Sequence, residues 1–539
     1  MPTAGRPEEA ARRAPTRGLV TPYRLALGAL TLGLGAFLLT RVWAWPPHED
    51  ETLVFFVARQ PLGELLHTVS AERGGAPLHY LLAHAVLSAS PSLEALRLLS
   101  AAPIVAAVPL VAALGSRLAS RAVGLVAALL VAASSVMHYQ GVYGRMYGLF
   151  LLASTLSFLL LLHALERQTA GRWALWGAAA LAAVAAQPYG ALVLAIQAAY
   201  VAWLGRRDLR SLARPAIAFA AVAVAAVPLW ITYSRLASRF DVAAGPGGSA
   251  LGSPGEVLEY LWETLADFTA GWLPAEAAIA VAAAAGLVLL ARRNRDAAVL
   301  AGLVLAAPAA ALLLTSSGDG LFLEPRHLVF ALPFVALLLA VAILGAARSL
   351  GRAGPAVAVL AGAGLVALQA AWGFAETPWL YAGEPAAREK ARAAAAAWLA
   401  GRARPDDVLF GYEPTYLDAH AAGAPYGDLF VPRADPALAL EELREAGPRV
   451  GHGVWVLDSS DFRTSSLVDL TIEEKSPGAA YEARAFGPFL VVRAREPAGT
   501  SERFLAQTVE IQLLGESLGI ADSGLNLETA REALRAARD

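Results

Sequence analysis

Runs of about 20 apolar residues recur along most of this chain, and they limit its fold more than any other feature. A bilayer core offers no water to backbone N–H and C=O groups, so only helices or closed barrels cross it. Long uninterrupted apolar runs point to helices, whereas a barrel would need short segments of alternating character. The balance of residues agrees: 57% of the 539 residues are hydrophobic and 16% charged, against roughly a quarter charged in a soluble domain. The sequence therefore predicts an α-helical polytopic membrane protein. Cys is absent, which excludes a disulfide framework, a thiolate metal site and a cysteine nucleophile. The net charge of −2 points to no nucleic-acid partner. No Walker loop, dinucleotide fingerprint or zinc-spaced His cluster occurs, so nothing supports coupling to ATP.

Residues 1–23 read as a polar cytoplasmic tail whose arginines place the N-terminus inside. The first apolar run lacks a cleavage site and reads as a retained anchor over 24–44. Further spans fall near 96–118, 121–138, 147–165, 171–187, 188–204, 212–233, 273–291, 296–315, 327–347 and 353–375. Three Arg clusters (Arg206, Arg207, Arg210 and Arg214; Arg292, Arg293 and Arg295; Arg348 and Arg352) should be cytoplasmic. They fall inside only if 77–118 makes one net crossing, with 77–90 re-entrant or interfacial. That gives about 11 spans, within a range of about 11–13, for a membrane domain over 24–375. The first outer loop is 45–76, and Asp50, Arg145, Tyr189, Arg235 and Arg326 then open on one outer face. From 376 the composition changes. A helix at 386–400, strands at 408–410, 454–457 and 489–492, and a helix near 436–446 predict a small extracytoplasmic α/β domain over 376–496. Residues 497–539 read as a helical tail, with helices at 504–518 and 527–538.

The polar loop after the first span reads His48-Glu49-Asp50-Glu51. Three successive carboxylates beside a membrane are costly unless they face water or a cation. The bland reading is a solvated loop. The functional one is a general base or a divalent-cation site at Asp50 and Glu51. Arg145, in Tyr143-Gly144-Arg145-Met146-Tyr147, either snorkels or clamps a phosphate with its planar donor fork. Arg326 precedes a late span, where Glu324 could pair with it. Arg97 lies inside an apolar run and needs a partner, structural or ligand-borne. The break Gln187-Pro188-Tyr189-Gly190 reads either as a plain turn or as a pocket edge. Acids within the spans are nearly lacking, against a proton-coupled transporter.

In order, the Asp50-Glu51 pair, Ala76-Pro77-Leu78-His79-Tyr80, Leu96-Arg97-Leu98-Leu99-Ser100-Ala101, Arg145-Met146-Tyr147 and Pro325-Arg326-His327 form a set. It resembles the GT-C superfamily of polyprenyl-phosphate-sugar glycosyltransferases. The branch it most resembles holds bacterial relatives of protein O-mannosyltransferases and lipid A aminoarabinose transferases. The likeness covers roughly 24–375. It implies a multi-pass protein of the bacterial plasma membrane that moves a hexose or pentose from a lipid-linked donor, with inversion, to a glycan, lipid or protein acceptor. By position, Asp50 matches the family's first acid and Glu51 its second, while Arg97, Arg145 and Arg326 match arginines that hold the donor phosphate. His48, His79, Tyr80, Tyr147, Tyr189 and His327 would line the substrate pocket. The sequence departs from the family where an acid is common two residues before the Arg-Met-Tyr arginine, a place that Tyr143 takes here. Gly75 stands where Lys or His is common, and His327 where Tyr is. Two rivals remain at this stage: a transporter or flippase for a lipid-linked sugar, using the same arginines, and an inactive scaffold of envelope assembly.

Overall fold

Each long apolar run becomes a helix, and most begin at a residue suited to start one. The computed structural model describes residues 21–206, 212–240, 253–315, 325–427, 429–432, 436–447, 450–458, 480–517 and 535. The expected tail up to residue 20, Arg207, Arg210, Glu324 and nearly all of the expected helix 527–538 lie outside these residues. The membrane part comprises α1 (Pro22–Val42), α2 (Glu49–Arg59), α3 (Leu62–His67), α4 (Pro77–Ala89), α5 (Leu93–Leu118), α6 (Arg121–Ala133), α7 (Ser135–Val142) and α8 (Tyr147–Arg167). It continues through α9 (Ala170–Ala186), α10 (Gly190–Gly205), α11 (Ala213–Ala225), α12 (Val227–Phe240), α13 (Pro254–Phe268), α14 (Leu273–Arg293), α15 (Arg295–Thr315), α16 (Leu332–Ser349) and α17 (Gly354–Glu376). Side-chain caps from Thr21, Ser92, Ser120 and Ser253 take up N–H groups at the first turns of α1, α5, α6 and α13, which otherwise lack partners.

Among the described residues, seven helices are long and apolar enough to cross a membrane. Two bent pairs, α6–α7 (59°) and α11–α12 (50°), bring this to nine if each is one broken span rather than a re-entrant loop. With the shorter apolar helices α9 and α10, there are eleven apolar segments, the number expected. The bend between α11 and α12 follows from Pro228, which lacks an N–H and clashes with the preceding turn. The bend between α6 and α7 centres on Ser134, which is extended and donates its hydroxyl to the Phe268 carbonyl at 3.0 Å. Helix α4 is 13 residues long, too short to span about 30 Å of hydrocarbon, in keeping with the interfacial reading of 77–90. Helices α5 and α6 pack backbone to backbone: a Cβ on Gly124 would lie 2.3 Å from the Ala112 carbonyl oxygen, so this approach needs glycine.

After α17 come α18 (Pro378–Ala382), α19 (Ala386–Ala400), α20 (Pro414–Ala421), α21 (Pro436–Ala446) and α22 (Ser501–Ser517). They surround a five-stranded sheet of β1 (Val408–Phe410), β2 (Phe430–Val431), β3 (Gly453–Asp458), β4 (Tyr481–Phe486) and β5 (Phe489–Ala494), in the order β2-β1-β3-β5-β4. The β1–β2 and β1–β3 pairs are parallel, and β5 runs antiparallel to β3 and β4. Strands β2 and β4 were not anticipated. Helix α22, expected in a separate tail, packs on this sheet. Phe504 stacks on Trp455 at 5.4 Å, and the Trp455 indole donates to Thr508 at 3.0 Å.

The sheet domain rests on the α2–α4 layer. Phe56 packs against Phe430 at 4.5 Å, and Tyr412 stacks on Phe430 at 5.1 Å. Arg73 donates to Tyr412 and to Glu442, crossing the same boundary. Helix α2 therefore carries its acidic N-terminus at one end and an aromatic docking face along its length.

Candidate active site

The first turn of α2 holds Glu49, Asp50 and Glu51, where the positive end of the helix dipole favours carboxylates. His48 caps the turn: its Nδ1 accepts from the Asp50 N–H at 3.1 Å, while the His48 N–H donates to Glu51 Oε2 at 3.1 Å. Neighbouring helix positions diverge by about 100°, so Asp50 and Glu51 meet different surroundings.

Glu51 turns inward and is wholly buried. Its Oε1 accepts from Arg97 Nε at 2.8 Å and from the Gly144 N–H at 2.9 Å, and its Oε2 takes Arg97 Nη2 at 2.7 Å. Arg97 also donates to the carbonyls of Val42 (2.8 Å), Trp45 (2.7 Å) and Pro46 (3.0 Å). Five donor hydrogens meet five acceptors, so Arg97 has no N–H left for a donor phosphate, the role its motif implied. Gly144 is required here, since a Cβ would lie 2.9 Å from Leu96 and 3.2 Å from Glu51 Oε1. The node ties the end of α1, the start of α2, α5 and the 143–145 turn together.

Asp50 turns the other way, with its side chain 25% exposed. Its Oδ2 lies 3.9 Å from Arg145 Nε and 3.9 Å from Arg326 Nη2, and it accepts from the Tyr143 hydroxyl. Burial alone pushes the Asp50 carboxyl up. The Arg145, His48 and Arg326 charges and the Tyr143 hydrogen bond outweigh it and hold the group below the usual carboxylate range, so Asp50 is ionised. Arg145 is pushed up by Asp50 despite its burial and stays charged. The Arg145 carbonyl accepts from Ser100 Oγ at 2.8 Å. Its Nε and Nη1 are buried with no well-formed hydrogen bond among the described residues, the Tyr80 hydroxyl being near enough only for a looser contact, a state that costs free energy unless an anion supplies an acceptor.

The other expected pocket residues gather around these three. The Arg326 guanidinium lies 5.6 Å from the Tyr143 ring centre and 5.3 Å from that of Tyr147, within cation–π range. His327 stacks on Tyr189 at 5.2 Å and sits 6.0 Å from Tyr147. His79 is buried and held to a pKa of about 3 by burial and by the Arg145 charge, so it is neutral; its Nε2 reaches the Gly144 carbonyl at 3.3 Å. Tyr80 is fully buried, within the influence of Arg145. Tyr143, which the sequence reading marked only as a departure, is in direct contact with Asp50. The signal was its position two residues before Arg145.

These residues do not suit a divalent cation. Both Glu51 oxygens are occupied by N–H donors, and Asp50 faces two guanidinium groups. The one metal-ligand grouping among the described residues is Asp406, Asp407 and His452 in the sheet domain. There Asp407 Oδ1 already accepts from Arg493 at 2.8 Å.

The architecture and this cluster define a class. The chain resembles the oligosaccharyltransferase of Archaeoglobus fulgidus solved with Zn and sulfate, at 14% identity and TM-score 0.52, over 80% of this chain and 67% of that one. It likewise resembles ArnT from Cupriavidus metallidurans bound to undecaprenyl phosphate, at 13% identity and TM-score 0.53, over 88% of this chain and 98% of that one. The same archaeal organism's AglB, solved with an inhibitory peptide and a dolichol-phosphate, matches at 13% identity and TM-score 0.51, over 79% and 69%. No family model matches, and no curated protein does. The fold is GT-C-like, a helical membrane body with a small C-terminal sheet domain.

Proposed function

We propose that this chain is a membrane glycosyltransferase that moves a sugar from a polyprenyl-phosphate donor to a cell-envelope acceptor on the extracytoplasmic face. The observation that carries this reading is the Asp50 carboxylate flanked at 3.9 Å by both Arg145 and Arg326. An acid poised beside two cations is half of what sugar transfer from a phosphate needs, and the cations are the other half.

In this mechanism the donor phosphate occupies the region between Arg145 and Arg326 and takes up the unsatisfied Arg145 N–H groups. The phosphate's negative charge then offsets the two cations that hold Asp50 acidic. The proton affinity of Asp50 rises as donor binds, which makes it a better base only in the loaded site. The acceptor hydroxyl oxygen forms its bond to the anomeric carbon while its proton passes to Asp50. The bond from that carbon to the phosphate oxygen breaks, and its electron pair leaves on the polyprenyl phosphate. Direct displacement inverts the anomeric carbon. The arginines stabilise charge that grows in the transition state, where such stabilisation accelerates the step. Glu51 and Arg97 are positioning residues that fix the 143–145 turn, and no divalent cation takes part. The sheet domain, seated on α2, would contact the acceptor.

The test is Asp50→Asn, with transfer and donor binding measured on the same preparation. The expected result is loss of transfer with lipid still bound. Full activity would remove Asp50 as the base. Wild-type protein that moves the lipid-linked donor across a bilayer without forming a glycosidic bond would favour the flippase reading.

A further inference from the structure

A cavity of about 740 Å³ lies between α9 and α11. At one end sit Arg167, Gln168, Thr169 and Arg214, and the rest of the lining is chiefly apolar, including Leu181, Ile217 and Val222. From this we infer that the cavity holds an anionic glycerophospholipid, its phosphate at the arginine end and an acyl chain along the apolar walls.

The polar end is built for an anion. Arg214 anchors itself by donating Nη1 to the Gln168 carbonyl at 2.6 Å, which leaves its other donors for a ligand. Helix α9 begins here with Thr169 as N-cap, and no side chain caps its first turn. Helix α11 also starts here without a side-chain cap. First-turn N–H groups without a side-chain cap and the helix dipole both favour a phosphate. A separate observation points the same way. Trp173 lines the cavity and is 6% exposed, yet its buried indole N–H has no acceptor among the described residues. A phosphate or ester oxygen of a lipid would supply one. The small side chains of Ala174, Gly177 and Ala221 leave the remaining length open to a chain.

This cavity is separate from the Asp50 cluster. Tyr189, which joins that cluster through His327, follows the far end of α9. The helix has 17 residues, so the arginine end lies about 25 Å away along the bundle. The volume is that of a drug-sized ligand, which suits part of a two-chain lipid better than a long polyprenyl tail. Arginines at the end of a membrane bundle can also serve only to set orientation, and the experiment separates the two roles.

The test is native mass spectrometry of the full chain released from vesicles of phosphatidylglycerol mixed with phosphatidylcholine, with undecaprenyl phosphate as competitor. The variants are Arg167→Ala with Arg214→Ala, Trp173→Phe, Ala174→Phe to fill the cavity, and Arg292→Ala with Arg293→Ala as a control pair at another Arg cluster. The expected result is one retained phosphatidylglycerol, held at least about tenfold less tightly in the Arg167/Arg214 and Ala174 variants and unchanged in the control. Equal loss in the control pair, no preference over phosphatidylcholine, or displacement by undecaprenyl phosphate would overturn it. The Ala174 variant keeps both arginines, so its result stands even if the double variant folds poorly.

Discussion

Glu51→Gln separates structural from chemical acids most sharply, because the surroundings of Glu51 contain only donors. Each carboxylate oxygen accepts two N–H groups: Arg97 Nε and Gly144 on Oε1, Arg97 Nη2 and His48 on Oε2. A glutamine in either flip turns one of those oxygens into an NH₂ that faces two N–H donors. It also leaves Arg97, 2% exposed, charged and without its counter-ion. Breaking a buried pair by removing one partner costs about 3–5 kcal/mol. For domains of 150–250 residues each kcal/mol lowers the melting temperature by about 2–4 °C, and less for a longer chain. A drop of about 3–5 °C is therefore expected for this protein in detergent. The assay is thermal unfolding of Glu51→Gln beside Asp50→Asn, with donor binding as the second readout. Asp50→Asn should melt within about 2 °C of wild type, since its carboxylate is partly exposed and lies 3.9 Å from each guanidinium. Wild-type melting of Glu51→Gln with loss of transfer would refute the division and make Glu51 a chemical residue.

Tyr143→Phe removes the hydroxyl that donates to Asp50 while keeping the ring that stacks on Tyr139 and faces Arg326. A hydrogen bond to a charged group is worth about 1.5–3 kcal/mol. Transfer should fall by about ten- to a hundredfold with little change in melting, and a rate within twofold of wild type would dismiss the contact. The pH profile follows from the direction of the Asp50 shift. Its folded-state pKa lies below the unfolded value of about 3.9, so the stabilisation from its ion pairs is complete above that value. It is lost only as pH falls through the lower folded one. The kcat/KM for transfer, which reports the free enzyme, should then show no acid limb from Asp50 between about pH 5 and 8. Arg145→Met should raise the Asp50 pKa and bring such a limb into view in residual activity, and an unmoved profile would argue against coupling of the two. Chelation by EDTA should leave transfer intact, because neither Asp50 nor Glu51 offers an unengaged cation site. Activity lost to EDTA and restored by Mn²⁺ or Mg²⁺ would overturn that.

Much of the helical body is legible from hydropathy alone, because a span must carry its own length of apolar residues. What escaped were features set by partners. Helix α13 is amphipathic and short of a span, yet Ser253 and Glu256 form a capping box at its start, a signal present in the sequence. Strand β2 has two residues, too few for any periodicity. Strand β4 alternates buried with less buried residues as an edge strand does, but its polar half hid it. In the site, the motifs located Asp50, Arg145 and Arg326, and position along the spans placed them at one face. The sequence could not rank the arginines, because what distinguishes Arg97 from Arg145 is whether their donors meet protein acceptors.

That distinction explains why two adjacent acids can take separate parts. On a helix, successive side chains point about 100° apart, so a first turn at the edge of a packed body sends one residue into it and the next out. The inward Glu51 turns a buried arginine from a liability into a clamp on the 143–145 turn. The clamp fixes the backbone at Gly144, which sets Tyr143 against Asp50 on one side and Arg145 beside it on the other. The outward Asp50 can then stay partly open to an acceptor while two cations hold it ionised. If this order of support is correct, transfer and folding should respond asymmetrically. Loss of Glu51 or Arg97 should weaken both, and loss of Asp50 or Tyr143 should weaken transfer alone. A Glu51→Gln/Tyr143→Phe pair should be less than additive in transfer, because the first change already releases the turn that carries the second. Full additivity would mean that Glu51 and the Tyr143–Asp50 contact act independently, and that the Gly144 link transmits nothing.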